Sequence, residues 1–335
     1  MENMNTRVKK GLTYLGFLAL VLGSVFLAQG VGGGRYQLSH SLSLFFPSDL
    51  SPSEKIILFE IRLPRIVLSF LVGGSLSLGG AVLQGIFQNP LVDPYVLGIS
   101  SGAALGAVIA ILSGVYLGFF TVPLFAFSMA LFSAFLVFYL GKIGKRFPLE
   151  VLLLAGIGVG FFFSALVSLG MFLAGEDLHQ LFFWTMGGLW NSSWQEVKMI
   201  LPFIVVGAPI LFSFFRELNA FLLGEKVAES IGVEVEKVKK QLLFVVSLLV
   251  ASAVAVSGVI GFVGLVVPHL VRLLGARDHR HLLPFSFLLG GGVLLWADTL
   301  ARTILYPVEL PVGIITSLLG APFFIYLLRK RKKSL

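Results

Sequence analysis

Long apolar runs separated by short polar stretches organise this sequence from end to end. A helix needs about 20 apolar residues to cross a hydrocarbon core of about 30 Å. Ten stretches approach or meet that length: residues 12–31, 66–86, 96–115, 119–140, 149–174, 199–215, 242–259, 261–275, 282–302 and 311–328. The stretch 261–275 is short for a span and abuts the one before it, so nine or eleven spans remain alternatives. Arg7, Lys9 and Lys10 precede the first run, as in a secretory leader. That run is longer than a leader's apolar region, which favours a retained helix. Ala28 and Gly30 keep cleavage open as the alternative.

Three polar stretches interrupt the pattern. Residues 32–61 contain Pro47 and Pro52 and read as a long loop. Residues 175–198 read as irregular, with Trp184, Trp190 and Trp194 suited to a membrane interface. Residues 216–241 mix Glu225, Glu229, Glu234 and Glu236 with Lys226, Lys237, Lys239 and Lys240. Within them Leu222, Val227 and Ile231 recur at helical spacing, broken by Gly224 and Gly232. That pattern predicts two short amphipathic helices at the membrane surface; a solvated charged loop is the alternative.

Composition turns this pattern into a fold class. The 335 residues are 57% hydrophobic and 13% charged, against about 25% charged in an ordinary soluble domain. Too few charges exist to cover a soluble fold of this size, so lipid is the solvent for the apolar surplus. The expected class is an all-α integral membrane protein with about ten transmembrane helices in a single domain, 1–335. The absence of cysteine excludes disulfides, thiol nucleophiles and Cys-ligated metal. The net charge of +8 comes from short flanks between apolar runs, which requires no nucleic acid partner. With the N-terminus inside, 19 of 25 Lys and Arg fall on the inner face, among them Arg329 to Lys333. That asymmetry predicts an even number of spans with both termini cytoplasmic.

The candidate chemistry begins with what is missing. There is no Gly-rich phosphate loop ending in Lys-Ser or Lys-Thr, and no His-Glu-x-x-His or Gly-x-Ser-x-Gly. No catalytic residue and no metal ligand is expected, and His269, His279 and His281 read as polar or capping residues. Ion-coupled carriers depend on acids at mid-span. Asp298 is the one acid inside a long run, and Arg302 four residues on can pair with it. An ion-coupled secondary transporter is therefore the alternative reading, and a membrane-embedded enzyme has no clustered side chains to support it. Arg62 and Arg65 flank Pro64 at one span's entry, and Arg302 ends another. Each can snorkel to the interface, but three together fit docking of an acidic partner surface. Asn89-Pro90 interrupts the helix pattern at the inner end of the second span, as a plain loop or as part of a gate. A faint echo links Gly79–Leu83 before Pro90 with Ser257–Gly261 before Pro268. It is either chance or an inverted repeat of two five-helix halves, about 1–175 and 176–335.

Longer motifs now carry a resemblance. Arg62-Leu63-Pro64-Arg65 is followed by Gln84-Gly85 and Asn89-Pro90-Leu91-Val92-Asp93-Pro94. Gly258 to His269, Asp278-His279-Arg280, Ala297-Asp298 with Ala301-Arg302, and Glu309-Leu310-Pro311-Val312-Gly313 come later in order. This resembles the FecCD family of ABC-transporter permeases, importers of iron–siderophores, haem and vitamin B12, from about residue 60 to 328.

The resemblance implies a type II importer permease in a bacterial or archaeal cytoplasmic membrane, working by alternating access as a homodimer or close heterodimer. It implies two cytoplasmic ABC ATPase subunits that carry ATP and Mg, an external solute-binding protein and a metal-chelate substrate. This chain itself would bind no cofactor. Arg62, Arg65 and Arg302 match the arginines that dock the binding protein. Leu218, Leu222, Gly224, Glu225, Ala228, Ile231 and Gly232, within 218–232, match the coupling helices that seat on the ATPase. Asn89, Pro90 and Leu91 match the segment that narrows the inner end of the path. The second gate of the family falls on Leu149 and Glu150, where an acid departs from the pattern.

Overall fold

The computed structural model describes residues 51–332 together with Gly16, Gly23, Ser24, Leu27 and Ala28. The first expected span, 12–31, the loop up to residue 50 and Lys333 lie outside the described residues or are touched only at those five positions. Among the described residues the chain is helical throughout, with no strand beyond two isolated bridges. We number the helices α1 Pro52–Ile56, α2 Leu63–Ile86, α3 Ile99–Leu112, α4 Thr121–Gly141, α5 Leu149–Leu173, α6 Leu178–Met186 and α7 Trp194–Ser213. They continue as α8 Phe215–Phe221, α9 Glu225–Ser230, α10 Val235–Ser257, α11 Val263–Leu273, α12 His279–Thr303 and α13 Val312–Lys332. A π-helical turn, Ile57–Arg62, fuses α1 to α2.

Among the described residues, six helical units are long and apolar enough to cross a membrane, and three shorter apolar helices, α3, α11 and α13, accompany them. Together they occupy nine of the ten expected spans. Two polar stretches are more ordered than expected. Part of the loop 32–61 is helix, because Ser51 and Glu54 form a reciprocal capping box with Pro52 at the first helical position. The stretch 175–198 contains α6, and α7 starts early at Trp194, where Ser193 and Glu196 form a second capping box. The expected amphipathic pair is present as α8 and α9.

Helix α2 is the centre of the bundle. The most apolar window of the α1–α2 unit is 83% buried, against 28% for α5 and 33% for α4 at the rim. Its small residues let neighbouring backbones close in. A methyl group added at Gly73 would collide with the carbonyl oxygen of Gly290 on α12, and one at Gly290 would collide with Ser77. On another face, a methyl at Gly80 would strike the carbonyl of Gly264 on α11. Such backbone approach is what small residues supply in membranes, where lipid offers helices no hydrophobic drive to associate.

These contacts order the two ends of the bundle. The start of α2 and the end of α12 bring Arg62, Arg65, Asp298 and Arg302 to one end, the arginine end. The end of α2 and the start of α12 meet α8 at the other, the short-helix end, where Gly85 lies beside His279 and Leu218. The two halves of the sequence echo differ locally. Gly79–Leu83 lies inside α2, whereas Ser257–Gly261 covers the end of α10 and the break after it.

Gly80→Ala is expected to destabilise the protein by about 1–3 kcal/mol or more, because the colliding atom is backbone and cannot rotate away. Gly292→Ala on α12, with open space around it, is the matched control and should be neutral or stabilising by up to about 1 kcal/mol. Thermal unfolding in one detergent checks both, and equal effects would remove the packing argument.

Candidate functional site

At the arginine end one carboxylate organises two guanidinium groups. Asp298 is fully buried on α12. Arg65 reaches it from α2 with Nε at 3.1 Å and Nη2 at 2.9 Å from Oδ1. Arg302, one turn beyond Asp298 on α12, places Nε 3.2 Å from Oδ2, the expected i,i+4 pair. Arg65 also uses Nη1 to hold Glu309 at 2.9 Å. The side chains of Arg65 and Arg302 are only 11% and 9% exposed, whereas Glu309 is 38% exposed. Arg62, at the end of the π-helical turn, is half-buried beside them. The Trp194 indole N–H fixes that turn by donating to the Phe59 carbonyl at 2.9 Å. The structure thus brings the three sequence-selected arginines to one place, and two of them are already committed to carboxylates of the chain itself.

Below this end the backbone breaks. Helix α10 stops at Gly258, with φ +66°, and α11 starts after Phe262, a non-glycine residue at φ +68°. At about 1.5 Å per residue, the 11 residues of α11 cover about half of a bilayer core. Irregular backbone at such a place must be satisfied by protein or line a cavity. Both conditions hold. The Tyr95 hydroxyl donates to the Ile260 carbonyl at 2.8 Å and accepts from the Ile260 N–H at 3.1 Å. Ser257 O accepts from Gly188 N at 2.8 Å. The break then lines a cavity of about 650 Å³ with Tyr95, Thr185, Met186, Ser317, Leu318 and Pro322. None of these cavity residues was selected from the sequence. The available signal was the pair Gly258 and Gly261 followed within three residues by Gly264, the mark of a discontinuous helix.

Toward the short-helix end, the segment Asn89-Pro90-Leu91 is a tight turn rather than a free loop. Asn89 Oδ1 accepts from Leu91 N at 3.1 Å, and Gln88 before it adopts φ +49°. Gln84, 2% exposed on α2, anchors the turn. Its amide donates to Val92 O at 3.2 Å and to Leu265 O at 3.1 Å, and its Oε1 accepts from Arg272 Nη1 at 2.5 Å. One buried amide therefore ties α2, the turn and α11 together. Gln84 and Arg272 are further site residues that sequence reading passed over.

Helices α8 and α9 sit on the short-helix end with two faces. Leu218, Phe221 and Ala228 are buried, while Leu222, Leu223, Val227 and Ile231 are 53%, 66%, 42% and 63% exposed. Gly224 and Gly232 turn the chain at the two ends of α9 with φ +101° and +93°, which a side chain would strain. Asn219 fastens α8 to α12 by donating to Asp278 Oδ1 at 2.7 Å and accepting from His279 N at 3.0 Å. Partial burial raises the Asp278 carboxyl, but the Asn219 amide and the Arg280 backbone N–H outweigh it and hold that carboxyl below its ordinary range. Glu225 pairs with Lys239 on α10 at 2.7 Å. Leu149 and Glu150 open α5, where an acid in the first turn complements the helix dipole.

Asp298→Asn is expected to cost about 3–5 kcal/mol, because it leaves two buried guanidinium groups facing each other without their anion. Glu309→Gln removes a more exposed partner and should cost about 1 kcal/mol or less. Thermal unfolding of the two purified variants gives the ranking, and the reverse order would refute the assignment of Asp298 as the organising charge.

The sequence matches the FecCD transport family over residues 19–330. It is 48% identical over 280 residues to a cobalamin import system permease protein, BtuC, of Halobacterium salinarum, covering 83% of this chain and 74% of the relative. It is 40% identical over 343 residues to a hemin transport system permease protein, HmuU, of Yersinia pestis, covering 98% and 99%. Among solved structures, a metal-chelate type ABC transporter in an inward-facing conformation superposes with TM-score 0.84 at 35% identity, over 94% of this chain and 98% of that one. The chain therefore belongs to the FecCD transport family of ABC-transporter permeases.

Proposed function

We propose that two copies of this chain enclose one import path for a metal chelate in a bacterial or archaeal cytoplasmic membrane. Both termini are cytoplasmic, and the two halves, about 1–175 and 176–335, act as an inverted pair. Iron–siderophore, haem or vitamin B12 is the cargo class, a reading supported by relatives named for cobalamin, iron(3+)-hydroxamate and hemin. The chain holds no cofactor of its own. Two cytoplasmic ABC ATPase subunits bind ATP and Mg, and an external solute-binding protein delivers the cargo.

The observation that carries this reading is the apolar face of Leu222, Leu223, Val227 and Ile231 at the end where α8 and α9 lie outside the bundle. Apolar side chains grouped at a polar end mark an interaction surface. In the proposed arrangement Leu218 and Ala228 anchor the pair and Leu222 and Ile231 enter the ATPase. Gly224 and Gly232 set the turns, and Glu225 links the pair to α10. At the opposite end Arg62, Arg65 and Arg302 receive carboxylates of the binding protein. At that end Asp298 and Glu309 hold the Arg65 side chain in place, and Asp298 also holds Arg302. The 650 Å³ cavity beside Tyr95 is part of the path, and Asn89, Pro90 and Leu91 close its inner end. ATP-driven movement of α8 and α9 shifts the bundle between outward- and inward-open states, each favoured by a different partner.

Vesicles holding the chain with its ATPase and binding protein should accumulate one of vitamin B12, haem or a ferric chelate only when ATP is present. Uptake driven by a proton or sodium gradient without the ATPase would establish the ion-coupled alternative instead. Leu222→Asp with Ile231→Asp should weaken ATPase binding about tenfold or more, an interface loss of about 1.4 kcal/mol. Joint charge reversal of Arg62, Arg65 and Arg302 should weaken docking of the binding protein, most at low salt. Unchanged affinity in low-salt titrations would remove the docking role.

A further inference from the structure

Between α9 and the entry of α5 lies a buried cation that neither end of the path explains. Lys239 on α10 is 1% exposed. Its ammonium reaches Glu225 on α9 at 2.7 Å and Glu236, one turn earlier on α10, at 3.2 Å. Glu236 is itself shared. Its second oxygen, Oε2, accepts the backbone N–H of Phe147 at 2.7 Å. Phe147 ends the turn between α4 and α5, just before Pro148, Leu149 and Glu150. The chain of contacts Glu225–Lys239–Glu236–Phe147 therefore runs from α9 to the first residues of α5 without a gap.

A surface ion pair would need no further account. This one is different because the lysine is enclosed. An enclosed ammonium requires its carboxylates, and losing one of them costs far more than losing an exposed partner. Lys239 accordingly resists separation of α9 from α10, and Glu236 resists separation of α10 from the α4–α5 turn. Motion of α9 away from its seat must either carry the turn with it or break a desolvated contact. Asn219, bonded to Asp278 and His279, ties the same helix pair to α12 as well.

We infer that Lys239 and Glu236 are positioning residues that carry movement of the α8–α9 pair to the start of α5, around Leu149 and Glu150. The inference rests on the reading of α8 and α9 as the ATPase seat. The two carboxylates remain 35% and 28% exposed, so a neutral residue of similar length at 239 leaves them hydrated and the fold intact.

The chain has no cysteine, so a single Glu150→Cys, at an exposed position, reports on the start of α5. In the assembled complex with its ATPase, ATP and Mg should change the rate of maleimide labelling at that cysteine by about tenfold, the scale of a typical coupling free energy. Lys239→Met and Glu236→Gln should each abolish that response while the ATPase stays bound. The double variant should match either single one, because contacts in series fail together. An ATP response retained in Lys239→Met, additive losses in the double variant, or no response without either substitution overturns the relay. Spin labels at Ser230→Cys and Lys145→Cys give a second readout that needs no labelling rate. Their separation should stay narrow with Lys239 and broaden with Met, and an unchanged distribution refutes the linkage. An ATPase that remains bound to Leu222→Asp with Ile231→Asp would instead show that the seat is misplaced, independently of Lys239.

Discussion

Close backbone approach along α2 is the constraint on which the rest of this bundle depends. Lipid is as apolar as a leucine side chain, so burying leucine against leucine gains little between membrane helices. What remains is dispersion between closely fitted surfaces and polar contacts made at short range. Gly73 with Gly290 and Gly80 with Gly264 bring α12 and α11 within backbone contact of α2. Those two approaches set the register of everything nearby. The first aligns Asp298 with Arg65 at one end of the helices, and the second puts the Leu265 carbonyl within reach of Gln84 near the other. A bulkier residue at either crossing would lengthen the polar contact that the crossing aligns.

Four polar side chains within the bundle share a placement. Gln84, Tyr95, Ser133 and Lys239 each serve backbone or charge at a point where a helix ends or is interrupted. Ser133 donates to the carbonyl of Gly98 at 2.7 Å, where the short turn after Pro94 hands over to α3 in a left-handed conformation. Helical backbone satisfies itself, and in a lipid-facing bundle each departure from it needs a named partner. These four side chains therefore mark irregular places in the bundle.

Much of the architecture was legible because hydrophobic length is a strong signal. The runs at 119–140 and 149–174 fall within a residue or two of α4 and α5. The pairing of Asp298 with Arg302 followed from spacing alone, since i and i+4 share a helix face. What spacing cannot express is a contact between distant segments. Arg65 and Asp298 are 233 positions apart, so the sharing of one carboxylate by two arginines was hidden. Gln84 sat in plain view inside a recognised motif, yet its three-way role needs Leu265 and Arg272 from the far half of the chain. The irregular stretch assigned to 175–198 failed for a local reason. Ser193 and Glu196 form a capping box that was present in the sequence, but the tryptophans around it drew the reading toward an interfacial loop.

The clasp at the break between α10 and α11 has a consequence for how that stretch can move. A phenol oxygen is both donor and acceptor, and here one such atom satisfies both polar groups of Ile260. Rotating a single ring away would release the two bonds together, with no intermediate in which half the attachment survives. The interruption thus has the logic of a latch with one pin: it is held in a single arrangement or it is let go entirely, and the ring that decides between them lines the cavity beside the break.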